Sequence, residues 1–176
     1  KEKWFQRNVT FGTQCISVAV QKIRDKFVIY FSAKIQINRV AEIARGLKSD
    51  PSRIGSLNYN YGFFSKNHPS SRPEIRDVND LVRCVNELDV LVNEQVIPFM
   101  ETTLSLDELN SLTNSVEMCK YFLGHLDVEA LTLAYLVAPS RIQETADIYR
   151  SYIRSINYSE EGYRKPIDDI VNKLIE

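Results

Sequence analysis

The apolar side chains of this 176-residue chain change their spacing once, near residue 70, and this change restricts the folds that the chain can adopt. Before it, apolar residues recur at every second position, which is the period of a half-buried β-strand. After it, they recur at every third or fourth position, which is the period of an amphipathic α-helix. Strands first and helices afterwards predict an α+β fold.

The N-terminal third predicts an antiparallel sheet of three to four strands with one face exposed to water. Alternating apolar and polar residues predict strands over residues 3–7, 13–23, 27–37 and 57–63. The polar Arg24-Asp25-Lys26 between the second and third strands suits a tight hairpin connection. A short helix is expected over residues 40–47, before the fourth strand.

The rest of the chain predicts a layer of about five to six helices packed against this sheet. Asp77 is a good N-cap for the first of them, and Pro98 is expected to end or kink that helix. Ser105 and Glu108 have the spacing of a capping box, which predicts another helix start. We expect the apolar stripe of the first helix to face the core; its members are Val78, Leu81, Val82, Val85, Leu88, Val92, Val96 and Phe99.

The length and composition of the chain suit one α+β domain over residues 1–176. Within it, residues 3–64 are predicted to be mainly sheet with one short helix. Residues 77–175 are predicted to form the helical layer.

Charge is divided unevenly between the two halves of the chain. Up to Arg83 there are fifteen Lys/Arg and seven Asp/Glu, a net of +8; from Cys84 onward there are seven Lys/Arg and sixteen Asp/Glu, a net of −9. Three explanations are open: the halves neutralise each other within the fold, the basic half binds an acidic protein, or it binds nucleic acid. A salt-sensitive, basic surface with aromatic residues is typical of single-stranded nucleic-acid binders, but a pI near 6.2 is not.

The chemistry-bearing residues match no catalytic, cofactor or metal motif. The six glycines are scattered and none precedes a Lys-Ser/Thr pair, so a phosphate-binding loop is not predicted. The two histidines, His68 and His125, have no Cys, Asp or Glu at a metal-ligand spacing. We therefore predict no catalytic residue, no cofactor and no metal site, which favours a non-enzymatic protein. A hydrolase with an unrecognised site near His68 is a third alternative, although a lone histidine is a poor general base.

The best functional hypothesis is a protein-binding module whose partner has an acidic surface. The alternative is a single-stranded nucleic-acid binder that uses the basic N-terminal half. Cations and aromatic residues of this half are the candidate partner-binding residues: Lys34, Arg53, Tyr59, Tyr61, Lys66, His68 and Arg72.

Several short segments resemble the bacterial domain-of-unknown-function 4304 family. They are Trp4-Phe5-Gln6-Arg7, then 15–22 with the sequence CISVAVQK, and the helix end Val96-Ile97-Pro98-Phe99-Met100 followed by a Ser-Leu-x-Glu-type start. The resemblance covers about residues 3–112. It implies a cytoplasmic bacterial α+β domain and an immunity-like or regulatory protein binder.

The cysteine content and the hydropathy of the chain predict a cytoplasmic protein without a membrane partner. Cys15, Cys84 and Cys119 are odd in number and far apart, which is typical of reduced thiols in a cytoplasmic protein. No apolar run has the length of a transmembrane helix, so no membrane partner is expected. The sequence does not specify an oligomeric state.

Overall fold

The structure, a computed structural model, describes residues 2–47, 57–66, 71–102, 105–122, 127–156 and 160–176. Its strands are β1 (Glu2–Val9), β2 (Gly12–Ile23), β3 (Lys26–Ile37), β4 (Leu57–Asn60) and β5 (Glu74–Ile75). Its α-helices are α1 (Asn38–Leu47), α2 (Tyr61–Phe64), α3 (Val78–Leu91), α4 (Ile97–Thr102), α5 (Leu106–Thr113), α6 (Asp127–Val137), α7 (Ile142–Ser155) and α8 (Glu160–Ile175).

The α+β prediction is confirmed. The antiparallel sheet has the order β1-β2-β3-β4, and β5 also pairs with β3. Glu2 lies opposite Ala19 and Val9 lies opposite Gly12 in the β1/β2 pair. Arg24, with a φ of 55°, makes the tight connection of the second hairpin, which joins β2 to β3. Apart from α1 and α2, the described helices follow the sheet along the chain, as the change in period predicts.

The chain divides into two compact units. The first contains residues Lys1–Ile35 and Asn58–Leu104, and the second contains Gln36–Leu57 and Ser105–Glu176. The expected single domain over residues 1–176 stays a prediction, and each unit is described by itself.

Aromatic side chains form the core of the first unit. The ring centroid of Tyr59 is 4.9 Å from that of Phe63 and 4.7 Å from that of Phe99, both in edge-to-face orientation. Phe64 extends the cluster, 5.4 Å from Phe99 and 6.2 Å from Phe31. Such pairs add to the free energy gained from burying the rings. The cluster therefore fixes β3, β4, α2 and α4 of this unit to one another.

The predicted strand over residues 57–63 is wrong beyond Asn60. The side-chain Oδ1 of Asn60 accepts a hydrogen bond from the backbone N–H of Phe63, at 3.1 Å. This is an N-cap contact, and it starts the one-turn helix α2 in place of a longer strand. Tyr61 is therefore the first residue of a helix and not, as the alternating pattern had predicted, a strand residue.

The start of α3 is confirmed, but the predicted burial of its apolar stripe is wrong for the residues from Val78 to Val85. Asp77 caps the helix by accepting from the N–H of Asp80, at 2.9 Å. Val78 is 74 % exposed and Val82 is 56 % exposed, whereas Cys84 and Leu91 are buried. Burial of an adjacent face, the one with Cys84 and Leu91, leaves the first part of the stripe exposed, whereas Val96 near its other end is buried.

A substitution on this stripe is expected to change stability little. Val82→Lys should alter the free energy of unfolding by less than about 0.5 kcal/mol, because the side chain is largely exposed. Leu91→Ala on the same helix, where the side chain is 6 % exposed, should cost about 2 kcal/mol or more. Urea unfolding of the two variants measures both values. Equal losses would show that Val82 is part of the core.

Pro98 neither ends the helix nor breaks it. A π-helical turn, Val92–Val96, joins α3 to α4 immediately before the proline. Proline has no backbone N–H and its ring crowds the carbonyl four residues earlier. A π-helical turn accommodates such a local disturbance while the helical path continues.

The second unit contains α1 and α5–α8, with α6 in contact with each of the others. Leu131 and Leu133 of α6 are fully buried. The predicted capping box is present, since Ser105 Oγ accepts from the N–H of Glu108 at 3.1 Å and lies 2.9 Å from its carboxylate. Cys119–Tyr121 forms only a short 3₁₀ turn.

Candidate binding site

The two faces of β3 differ in chemistry because successive strand residues point to opposite sides. Ile29, Ala33 and Ile35 lie on one face and are 4 % exposed or less. Tyr30 and Lys34 lie on the other face and are half-buried. The sequence predicted that this second face would be exposed to water. The face is only partly exposed, because it forms the wall of a cavity.

We call this cavity, which lies in the first unit, the sheet-face cavity. Side chains of β2, β3 and β4 line it, and many of them are polar. Its volume is about 280 Å³. Ser17 and Ser32 hydrogen-bond to each other at 2.8 Å between hydroxyl oxygens and are buried. The described lining residues are Ser17, Ala19, Tyr30, Phe31, Ser32, Lys34, Asn58, Asn60, Tyr61, Ser71 and Arg72.

Two cations give the sheet-face cavity a positive charge. Lys34 is half-buried, and no carboxylate of the described residues forms an ion pair with it. The guanidinium carbon of Arg72 lies 5.0 Å from the centroid of the Tyr30 ring, a cation–π contact that orients the arginine. The described lining contains no Asp or Glu. An anion that entered this cavity would therefore meet fixed positive charge in a partly desolvated setting.

A second cavity, which we call the α3 groove, adjoins the first and shares Tyr61, Ser71 and Arg72 with it. Its volume is about 530 Å³. Here the arginines have carboxylate partners: Arg83 lies 2.6 Å from Asp80, and Arg76 lies 3.1 Å from Glu74. Three arginines and three carboxylates line the α3 groove, whereas the described lining of the sheet-face cavity contains Lys34 and Arg72 and no carboxylate.

Contacts within the α3 groove shift the pKa values of Glu74 and Cys84. The hydrogen bond from Lys26 lowers the pKa of Glu74, and the charges of Lys26 and Arg76 act in the same direction. Burial raises the pKa of the Cys84 thiol, and nearby Glu87 raises it further. A thiol with a raised pKa is protonated at neutral pH and is a poor nucleophile. The groove therefore contains charged but paired groups rather than an activated cysteine.

Removal of the Lys26 ammonium group is expected to raise the pKa of Glu74 toward its ordinary value. At a pH above the ordinary carboxyl pKa, the interactions that lower the pKa of Glu74 stabilise the fold. This stabilisation is lost as the pH falls through the lowered pKa. Lys26→Gln should therefore reduce the dependence of stability on pH in this acidic range. A carboxyl NMR titration of Glu74 measures the shift directly. An unchanged pKa in Lys26→Gln would contradict the assignment, and Arg76→Gln should produce a smaller rise.

The structure brings together three of the predicted partner-binding residues. Lys34, Tyr61 and Arg72 line the same cavity. Lys66 is exposed after α2 in a left-handed conformation, with a φ of 55°, and does not belong to the described lining. Two further predicted residues, Arg53 and His68, lie outside the described residues.

The prediction that Tyr59 contacts a partner is wrong. Its side chain is 0 % exposed and packs between the rings of Phe63 and Phe99. Tyr59 and Tyr61 share the alternation of the sequence, but α2 starts between them and separates their environments. Only Tyr61 remains available to a ligand.

The candidate partner-binding residues predicted from the sequence include neither Tyr30 nor Asn58, which both line the cavity. Tyr30 supports Arg72, and Asn58 is part of the cavity wall with a side-chain Oδ1 that has no hydrogen-bond partner among the described residues. The alternation of β3 places Tyr30 on the same face as Lys34, so the sequence pattern was sufficient to predict that these two side chains are on one face. The role of Asn58 depends on the pairing of β4 with β3, which the sequence does not give.

Comparison with known proteins gives no relative: no family model, curated protein or solved structure matches the chain. The resemblance to the domain-of-unknown-function 4304 family therefore stays a prediction. In the described part of the chain, no cluster of three His, Cys, Asp or Glu side chains could hold a metal ion. None of the helices described has both the length and the apolar character needed to cross a bilayer.

Proposed function

We propose that the chain is a cytoplasmic, non-enzymatic protein-binding module, immunity-like or regulatory, that binds an acidic segment of a partner protein in the sheet-face cavity. The observation that carries the proposal is the half-buried Lys34, which has no ion pair among the described residues and lies in a lining whose described residues include no carboxylate. An acidic side chain would supply the missing negative charge. Opposite charges across an interface give specificity and accelerate association.

The contrast with the α3 groove supports this choice of site. In the groove, the ion pairs Arg83–Asp80 and Arg76–Glu74 already neutralise the charges. A ligand carboxylate would have to compete with these pairs, whereas Lys34 has no ion pair among the described residues. The sheet-face cavity is also close to the lower end of the size range of ligand sites, so it suits one side chain with its neighbouring backbone.

Nucleic acid is the less favoured ligand for two reasons. Non-specific binding of single strands uses successive aromatic platforms, and the burial of Tyr59 removes one of the two that the sequence suggested. The volume of the sheet-face cavity, about 280 Å³, suits one side chain with its neighbouring backbone rather than several successive nucleotides. The hydrolase alternative depends on His68, which lies outside the described residues, and it stays a prediction.

The proposal is tested with a fluorescein-labelled, blocked heptapeptide that has a central Glu-Asp-Glu sequence flanked by Ser and Gly. Fluorescence anisotropy of the full chain should show binding at about 0.15 M salt, and the Gln-Asn-Gln analogue should bind at least about tenfold more weakly. Lys34→Gln should weaken binding of the acidic peptide by about tenfold or more. Lys22→Gln removes the same charge from an exposed position on β2 outside the described lining, and should have little effect.

Two results would contradict the proposal. One is equal binding of the acidic peptide to wild type and to Lys34→Gln. The other is tighter binding of an eight-nucleotide oligo-dT strand than of the peptide, with a dependence on Lys34, which would favour the nucleic-acid alternative.

A further inference from the structure

The exposed side of α3 carries a strict seven-residue repeat. The tripeptides Val78-Asn79-Asp80, Val85-Asn86-Glu87 and Val92-Asn93-Glu94 follow one another at this interval. Leucine stands three residues after each of the first two valines, at Leu81 and Leu88. In heptad notation, valine occupies three successive a positions and leucine the two d positions between them. We call these five residues the α3 seam: Val78, Leu81, Val85, Leu88 and Val92.

The α3 seam lies largely outside the core of its unit. Val78 is 74 % exposed, Leu81 is 45 % exposed and Val85 is 54 % exposed, whereas Leu88 and Val92 are half-buried. A straight α-helix has 3.6 residues per turn, so a stripe of period seven drifts around it by about 20° in each heptad. A sequence that keeps this period is typical of two helices that coil around each other. The repeat therefore indicates that the partner of the seam is another helix.

The residue types indicate that this helix is a second copy of α3. β-Branched residues at a, together with leucine at d, favour two-stranded parallel coiled coils. Two identical helices in register place valine against valine and leucine against leucine. In such a pair each e position lies beside a g position of the partner, so Asp89 at e would lie beside Cys84 and not beside the second Asp89. Identical copies can therefore pair without bringing like charges together.

We propose that two copies of the chain associate in parallel through the α3 seam. The contact is small, because residues 78–92 span about 21 Å of a helix that is about 10 Å wide. Its area is well below the about 800 Å² that each partner contributes to a standard stable interface. We expect a weak dimer, with a dissociation constant on the order of 0.1 mM. The dimer does not depend on the proposed function, since no seam residue lines the sheet-face cavity.

Sedimentation velocity of the full chain between about 10 µM and about 1 mM tests the dimer, because its fraction rises with concentration by mass action. The weight-average mass should rise from that of one chain toward that of two. Val85→Lys places a charge within the seam and should weaken association at least about tenfold. Val90→Lys is the matched control: Val90 is 50 % exposed on the same helix but occupies an f position away from the seam, so association should be unchanged.

Cysteine placement tests the parallel arrangement. Val78→Cys should form an intermolecular disulfide when diamide is the oxidant, because a parallel pair brings the two a positions together. In an antiparallel pair centred on Val85, the two copies of residue 78 would lie about 21 Å apart, beyond the reach of a disulfide. Wild type, in which Cys84 and Cys119 are buried, and Val90→Cys give the background rate.

Two results would overturn the dimer: a wild-type chain that stays monomeric up to about 1 mM, and association that Val85→Lys and Val90→Lys weaken equally. Cross-linking of Val78→Cys no faster than that of Val90→Cys would overturn the parallel arrangement. Both lysine variants should keep the circular dichroism spectrum of wild type, because the substituted side chains are exposed. Val85→Lys should also bind the acidic peptide as wild type does, so the dimer and the proposed function fail or hold separately.

Discussion

Truncation of Tyr59 to alanine is expected to lower the free energy of unfolding by about 3–5 kcal/mol. The side chain is 0 % exposed and lies at the centre of the aromatic cluster of the first unit. Its removal would leave a cavity beside Phe63 and Phe99, and both edge-to-face contacts would be lost. Thermal or urea unfolding, followed by the fluorescence of the single tryptophan or by circular dichroism, measures the loss.

Tyr61→Ala is the matched control for this substitution. Tyr61 is half-buried in the lining of the sheet-face cavity, so its truncation should cost clearly less stability than that of Tyr59. It should instead weaken binding of the acidic peptide. A larger stability loss for Tyr61 than for Tyr59 would contradict the division between core and site.

The second large effect is expected in the buried polar network of the second unit. The Tyr149 hydroxyl donates to Asn114 Oδ1 at 2.9 Å, and Asn114 Nδ2 donates to the Ala130 carbonyl oxygen at 3.0 Å. Tyr149 is 0 % exposed and Asn114 is 7 % exposed. Asn114→Leu should lower the free energy of unfolding by about 1–3 kcal/mol, because it removes the buried hydrogen bonds that Asn114 makes with the Tyr149 hydroxyl and the Ala130 carbonyl.

A double-mutant cycle tests whether the network, rather than packing alone, causes this loss. Tyr149→Phe removes the hydroxyl and leaves the ring in place. The double variant Asn114→Leu/Tyr149→Phe should be less destabilised than the sum of the single variants, since each single variant already removes the same hydrogen bond. Additive losses in urea unfolding would show that the two side chains are not coupled.

The sequence predicted the parts of the fold that depend on local patterns. The alternation of β3, the capping box at Ser105 and the N-cap at Asp77 are each determined within a few residues, and all three are present. The change from a period of two to a period of 3.6 was sufficient for the α+β class. Such features follow from backbone geometry and do not require knowledge of distant contacts.

The errors concern properties that depend on distant parts of the chain. The period of α3 shows that Val78 and Val82 share a face, but it does not show which face the rest of the unit covers. Tyr59 and Tyr61 have the same sequence environment, and only the cap by Asn60 separates a core ring from a cavity ring. For the same reason the sequence could suggest Lys34 and Arg72 as separate cations, but not their common cavity.

The central claim is that an acidic peptide binds in the sheet-face cavity, and an NMR titration tests it most directly. The ¹⁵N-labelled full chain is titrated with the blocked Glu-Asp-Glu heptapeptide, and the backbone amide shifts are followed. The largest shifts are expected at Lys34, Asn58, Tyr61 and Arg72, and they should disappear in Lys34→Gln. Shifts confined to the exposed stripe of α3 or to α5–α8, or the absence of any shift at millimolar peptide, would contradict the claim.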